Sequence, residues 1–163
     1  MLKGGLGNQL FQVATGLSYA IDTSQEFVLS RPLLHEWHAS QGESPSVYLN
    51  TIFSKIKLHD YTPSNTYTEP GYQFNNIPSN LTDCVLSGYF QSYKYFDHNR
   101  RTILDTLCFD HLTRCDMNYD ELCSIHVRRG DYTKLKHYHI NLDLDYYDRA
   151  MDIIDCDKFL VFS

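Results

Sequence analysis

Apolar positions recur at helical spacing between Gln9 and Ile21 (Leu10, Phe11, Ala14, Leu17, Ala20, Ile21), which predicts an amphipathic helix. The stretch ahead of it, Met1 to Asn8, is nearly all turn, and Asn8 is placed to act as N-cap by accepting from first-turn amides. Phe27-Val28-Leu29 reads as a short strand and residues 31–46 as loop. Tyr48 to Ile56 carries Leu49, Ile52, Phe53 and Ile56 on one face, the pattern of a short helix. Residues 60–82 mix Pro63, Pro70, Gly71 and Pro78 with polar side chains and read as irregular surface. Cys84 to Phe90 reads as a buried strand leaving through a turn. Tyr93 to Leu107 then supplies a helix with Tyr95, Phe96, Ile103, Leu104 and Leu107 as apolar candidates.

After a polar joint at 110–120 comes a more regular unit. It has a strand Leu122–Val127, a loop Arg128–Asn141, a helix Leu142–Ile154 and a strand Phe159–Phe162. Two apolar strands separated by an amphipathic helix predict a βαβ unit with parallel strands. The expected fold class is α/β, with an N-terminal α/β domain over 1–118 and the start of a second, incomplete one over 119–163. A two-stranded parallel sheet covers neither its faces nor its edges, so further chain or a partner is expected against it. The strand that should lead into the glycine turn is reduced to two or three residues, so the chain is expected to start late.

Composition narrows the function classes. With 42% hydrophobic and 21% charged residues, the 163-residue chain is globular rather than disordered. Its net charge of -6 argues against a general nucleic-acid binder, which needs a basic surface. The five cysteines are odd in number and form no CxxC pair, which argues against a disulfide framework or a zinc site and suits a reducing compartment. Asn80-Leu81-Thr82 is a glycosylation sequon without a signal peptide ahead of it. No apolar run approaches the roughly 20 residues of a membrane helix. A soluble, cytoplasmic protein is the expectation. The 13 Tyr and 9 Phe fit a sugar-binding cleft, although core packing is the commoner use.

Two segments carry candidate chemistry. In Gly4-Gly5-Leu6-Gly7-Asn8-Gln9, Gly5 and Gly7 let backbone approach a ligand, and the helix start favours anionic groups. The spacing is neither the dinucleotide-binding GxGxxG nor a P-loop, and a tight turn capped by Asn8 is the plainer alternative. His126-Val127-Arg128-Arg129-Gly130-Asp131-Tyr132 sits at the carboxyl end of a strand, where ligands gather in open α/β sheets. An arginine there can grip a phosphate bidentately. Asp131 can orient that arginine or accept from a ligand hydroxyl, and His126 is a donor or simply a strand-end histidine. A surface Arg–Asp pair beside a turn is the competing reading. His35-Glu36-Trp37-His38 is not the HExxH zinc motif, and His137-Tyr138-His139 reads as loop.

Gly4 to Gln12, Gly88 to Phe96 (GYFQSYKYF), His126 to Tyr132 and Leu142 to Tyr147 together resemble the α-1,2-fucosyltransferase family, a glycosyltransferase family 11-like pattern, in four ordered segments spanning nearly the whole chain. The resemblance implies inverting transfer of L-fucose from GDP-fucose to a galactoside hydroxyl on a GT-B-like fold of two facing Rossmann-type domains. It implies no metal and no cofactor beyond the donor substrate. Carried over residue by residue, Arg128 holds the donor diphosphate and Asn8 faces the same cleft from the other domain. His126, Arg129 and Asp131 support the donor site, beside Gly5 and Gly7. Family members extend further at both ends and can be membrane-associated. This chain is therefore expected to be an incomplete transferase, with a non-catalytic nucleotide- or glycan-binding remnant as the alternative.

Overall fold

The computed structural model describes residues 2–35, 44–109, 121–129 and 140–162. It divides into two compact units, Met1–Leu112 and Thr113–Ser163. The expected joint at 110–120 lies outside the described residues.

Unit 1 opens on helix α1 (Leu6–Asp22), whose inner face buries Val13, Ala14 and Ala20 together with Gln9, Gln12, Thr15 and Ser18. The core gathers Leu2, Val13, Ala14, Leu29, Leu34, Ile52, Phe53, Ile56, Ile103 and Leu107. Strand β1 (Val28–Ser30) leads into a short helix α2 (Arg31–His35), where sequence alone suggested loop. β1 pairs in parallel with β2 (Lys57–His59), with Leu29 opposite Leu58.

The helix expected over Tyr48–Ile56 does not form. A 3₁₀ turn at Pro45–Tyr48, capped by the Ser44 side chain, passes into a series of tight turns. The Ile52 carbonyl, which a helix would offer to the Ile56 amide, accepts instead from the Cys108 amide at 2.9 Å. Ile56 N–H turns to the Phe53 carbonyl, and Ile52, Phe53 and Ile56 are still buried. Apolar spacing therefore marked the right core residues on the wrong backbone.

Residues 60–82, expected to be irregular, contain strand β3 (Asn65–Thr68), parallel to β4 (Cys84–Ser87). β3 has no apolar alternation of its own, and its conformation comes from its partner. The ladder is clamped at both ends. The Asp83 carboxylate accepts from Ser64 N–H and Oγ, and Glu69 N–H donates to the Ser87 carbonyl. β4 is half-buried along its length rather than buried, because Val85 and Leu86 border a cavity.

Tyr93–Leu107 is broken into 3₁₀ turns at Tyr93–Tyr95 and Asp97–Asn99 before helix α3 (Arg100–Thr106). The break lets Asn99 reach α1, where its amide donates to Ser18 Oγ at 3.0 Å and Asp22 Oδ1 at 2.8 Å. Ile103 and Leu107 are buried as expected, but Leu104 is exposed.

Unit 2 follows the expected order: β5 (Cys123–His126), α4 (Leu144–Ile153) and β6 (Phe159–Phe162). β5 and β6 are parallel, with Cys123 opposite Phe159 and His126 opposite Phe162. α4 begins later than the apolar pattern suggested because Asp143 caps it, Oδ1 accepting from Tyr146 N–H at 3.0 Å. All three sheets among the described residues are two-stranded and parallel, which suits an α/β chain.

Candidate functional site

Within unit 1 the glycine-rich segment forms a sharp entry into α1. Gly4 has φ +82°, and a Cβ there would stand 2.3 Å from Asn8 Nδ2, so only glycine fits. Gly5 is the N-cap residue. Gly5 and Gly7 are exposed, with open space where a Cβ would be. Two glutamines lock the approach. Gln12 donates to the Lys3 carbonyl at 2.8 Å and accepts from Lys3 N–H at 3.1 Å, while Gln9 donates to the Gly4 carbonyl at 2.9 Å.

Asn8 is not the N-cap, contrary to the expectation from sequence. The helix begins at Leu6, so Asn8 stands in its first turn, and no side chain caps this end. The physical reason lies 83 residues away: Asn8 Oδ1 accepts from Gln91 Nε2 at 2.6 Å. Lys3 Nζ lies 4.8 Å from the centre of the Tyr89 ring, a cation–π approach across the same junction. Two of the segments that resemble a family are thus joined in space, with Asn8 half-exposed between them.

The second segment is held in place by Glu69. Its Oε2 accepts from the amides of Tyr89 and Phe90 at 2.8 and 2.9 Å. Phe90 has φ +49°, and a Cβ on Gly88 would come within 2.4 Å of Glu69, so a side chain at Gly88 would collide there. Phe90 is buried edge-on against Tyr95. Burial pushes the Tyr95 hydroxyl above its ordinary range, and that hydroxyl accepts from Asn75 N–H. Sequence reasoning assigned no role to Glu69, Tyr89 or Gln91. Gln91 was within reach of it as part of a quoted motif, whereas Glu69 sits in a polar stretch with no pattern.

Within unit 2, burial alternates along β5. Ile125 and Val127 are half-buried, and Ser124, His126 and Arg128 are exposed. With the two-residue period of a strand, His126 and Arg128 share one face at its carboxyl end. Val127 N–H donates to the Phe162 carbonyl at 2.7 Å and fixes the backbone just before the arginines. Arg129 is also exposed. Asp131 lies outside the described residues, as do Gly130, Tyr132 and the His137-Tyr138-His139 stretch. Asn8 and Arg128 belong to different units. Among the described residues, no group of three or more His, Cys, Asp and Glu side chains is arranged to hold a metal ion. No helix there is long and apolar enough to cross a membrane.

The chain is similar to the O-antigen biosynthesis glycosyltransferase WbnK of Escherichia coli, 27% identical across an alignment that covers 94% of this chain and 67% of that protein. No protein-family profile matches the chain. No solved structure matches it.

Proposed function

We propose that this chain acts in glycosyl transfer, moving L-fucose from GDP-fucose to a galactoside hydroxyl with inversion to give an α-1,2 linkage. The observation that carries the glycosyltransferase reading is the likeness to an O-antigen glycosyltransferase along 94% of the chain. The fucosyl part of the reading rests on the four ordered segments. The exposed His126 and Arg128 on one face at the end of a parallel strand fit a donor-diphosphate site.

Breaking the fucose–phosphate bond leaves positive charge on the sugar and negative charge on GDP. A guanidinium at the diphosphate stabilises that separation more than it stabilises the ground state. In this reading Arg128 grips the diphosphate, with His126, Arg129 and Asp131 supporting it. By the resemblance Asn8 also takes part in transfer, and within unit 1 it follows the open backbone at Gly5 and Gly7. The reading calls for no metal.

The test is GDP release from GDP-fucose with and without a galactoside, alongside calorimetric binding of GDP-fucose. Arg128→Ala is expected to lower kcat several hundred-fold, about 3–4 kcal/mol by analogy with loss of an oxyanion-hole donor. Arg128→Lys should restore little, since an ammonium lacks the planar fork. Transfer from another nucleotide sugar, but not from GDP-fucose, would remove the fucosyl part and leave glycosyl transfer standing. Binding without turnover would favour a nucleotide-binding remnant. Neither binding nor turnover with any nucleotide sugar would sink the proposal.

A further inference from the structure

Asn8 and Gln91 meet through their side-chain amides, and the sense of that contact decides which end of Asn8 is left for a ligand. A primary amide has an oxygen that only accepts and a nitrogen that only donates. Gln91 Nε2 donates to Asn8 Oδ1 at 2.6 Å, so the accepting end of Asn8 is engaged within unit 1. The donating end is not. Among the described residues no group accepts from Asn8 Nδ2, which stands over Gly4, 2.3 Å from where a Cβ would be. Asn8 is half-exposed, beside the open backbone of Gly5 and Gly7. The terminal torsion of an asparagine is broad and roughly two-fold, so without a partner its amide would present either end.

Gln91 is itself exposed, but its backbone is anchored. Glu69 takes the amides of Tyr89 and Phe90, the Phe90 ring is buried against Tyr95, and Ser92 N–H donates to the Phe90 carbonyl at 2.8 Å. Lys3 over the Tyr89 ring joins the same two segments, so the Gln91 amide is not their sole fastening. Its separate effect is on the orientation of Asn8. We propose that Gln91 is a positioning residue: it holds the Asn8 amide with the NH2 group free to donate to a substrate oxygen, a sugar hydroxyl or a phosphate. The role rests on the glycosyl-transfer reading above, in which Asn8 takes part in transfer. Gln91→Glu is the discriminating change. A carboxylate only accepts, so Asn8 would turn its NH2 group to Glu and present an oxygen in place of a donor.

The test measures side-chain amide exchange and steady-state transfer on the full chain, with GDP-fucose and methyl galactoside as substrates. In Gln91→Glu the Asn8 amide protons should exchange about tenfold more slowly than in the natural protein, and kcat/KM should fall about 10–100-fold. In an Asn8→Ala background the same substitution should cause no further loss, because Gln91 acts through Asn8. Gln91→Leu, the second variant should the new charge disturb folding, frees the amide without reversing it and should lower kcat/KM about threefold. A raised KM for the galactoside identifies the hydroxyl as the partner oxygen, and a weakened GDP affinity in calorimetry the phosphate. Unprotected Asn8 protons in Gln91→Glu would overturn the proposal. So would unchanged kcat/KM in both Gln91 variants, or equal losses with and without Asn8. No transfer by the natural protein from any nucleotide sugar would instead remove the transferase reading, and this role with it.

Discussion

Unit 1 and unit 2 are both built on parallel strand pairs, yet unit 1 leaves Val13, Leu29, Phe53 and Phe90 at 0–4% exposure while no described residue of unit 2 is buried. In unit 2, Leu144 is 70% and Ile153 85% exposed, on a helix that is nevertheless well formed and capped by Asp143. Backbone ladders and caps are local and need few neighbours. Burial needs a second layer, which α1, the turns at 48–56 and α3 supply in unit 1. Side-chain substitutions should therefore be costly in one unit and nearly silent in the other.

The largest expected effect is Phe53→Ala, which removes a buried ring from the core and should cost about 3–5 kcal/mol in urea unfolding followed by circular dichroism. A loss below about 1 kcal/mol would mean that the core of unit 1 does not govern its stability. Next comes Gly4→Ala. A positive φ and a collision with Asn8 should together cost about 1–3 kcal/mol and loosen the Asn8–Gln91 contact, visible as chemical-shift changes at the Gln91 side-chain amide. Wild-type stability and an unmoved Gln91 signal would show that the entry turn is not sterically locked.

A smaller effect concerns acid. Burial raises the Asp22 carboxyl pKa, but bonds to His98 and Asn99 outweigh it and hold the carboxyl below its ordinary value near 3.8. A depressed carboxylate adds stability that is present above the unfolded value and is lost as pH falls through the lower folded value. Both Asp22 and His98 are about half exposed, so Asp22→Asn should cost less than about 1 kcal/mol at pH 7. The variant's deficit should close below about pH 3.8, measured by melting between pH 2 and 7. A deficit that persists unchanged at the acid end would remove the Asp22 carboxylate's bonds to His98 and Asn99 from the account. Smallest of all is Ile153→Ser in unit 2, expected to stay within about 0.5 kcal/mol. A larger loss would reveal that α4 is covered after all and would erase the contrast between the units.

Local patterns were legible from residues alone. The apolar period of α1, the strands now seen as β1, β4, β5 and β6, and the parallel βαβ order of unit 2 all follow from spacing within a few residues. The position of the arginine pair at a strand's carboxyl end was legible for the same reason. Asn8 was different. Its residue type suits a cap, and only a glutamine 83 residues later decided that its oxygen would be used elsewhere. β3, the turns over 48–56 and the broken segment before α3 are alike in this respect. Each depends on a distant partner: β4 for the polar strand, Cys108 N–H for the Ile52 carbonyl, and Ser18 with Asp22 for Asn99. Short-range periodicity is written in neighbouring residues. The assignment of a hydrogen-bonding group to a remote partner is a competition that only the assembled chain resolves.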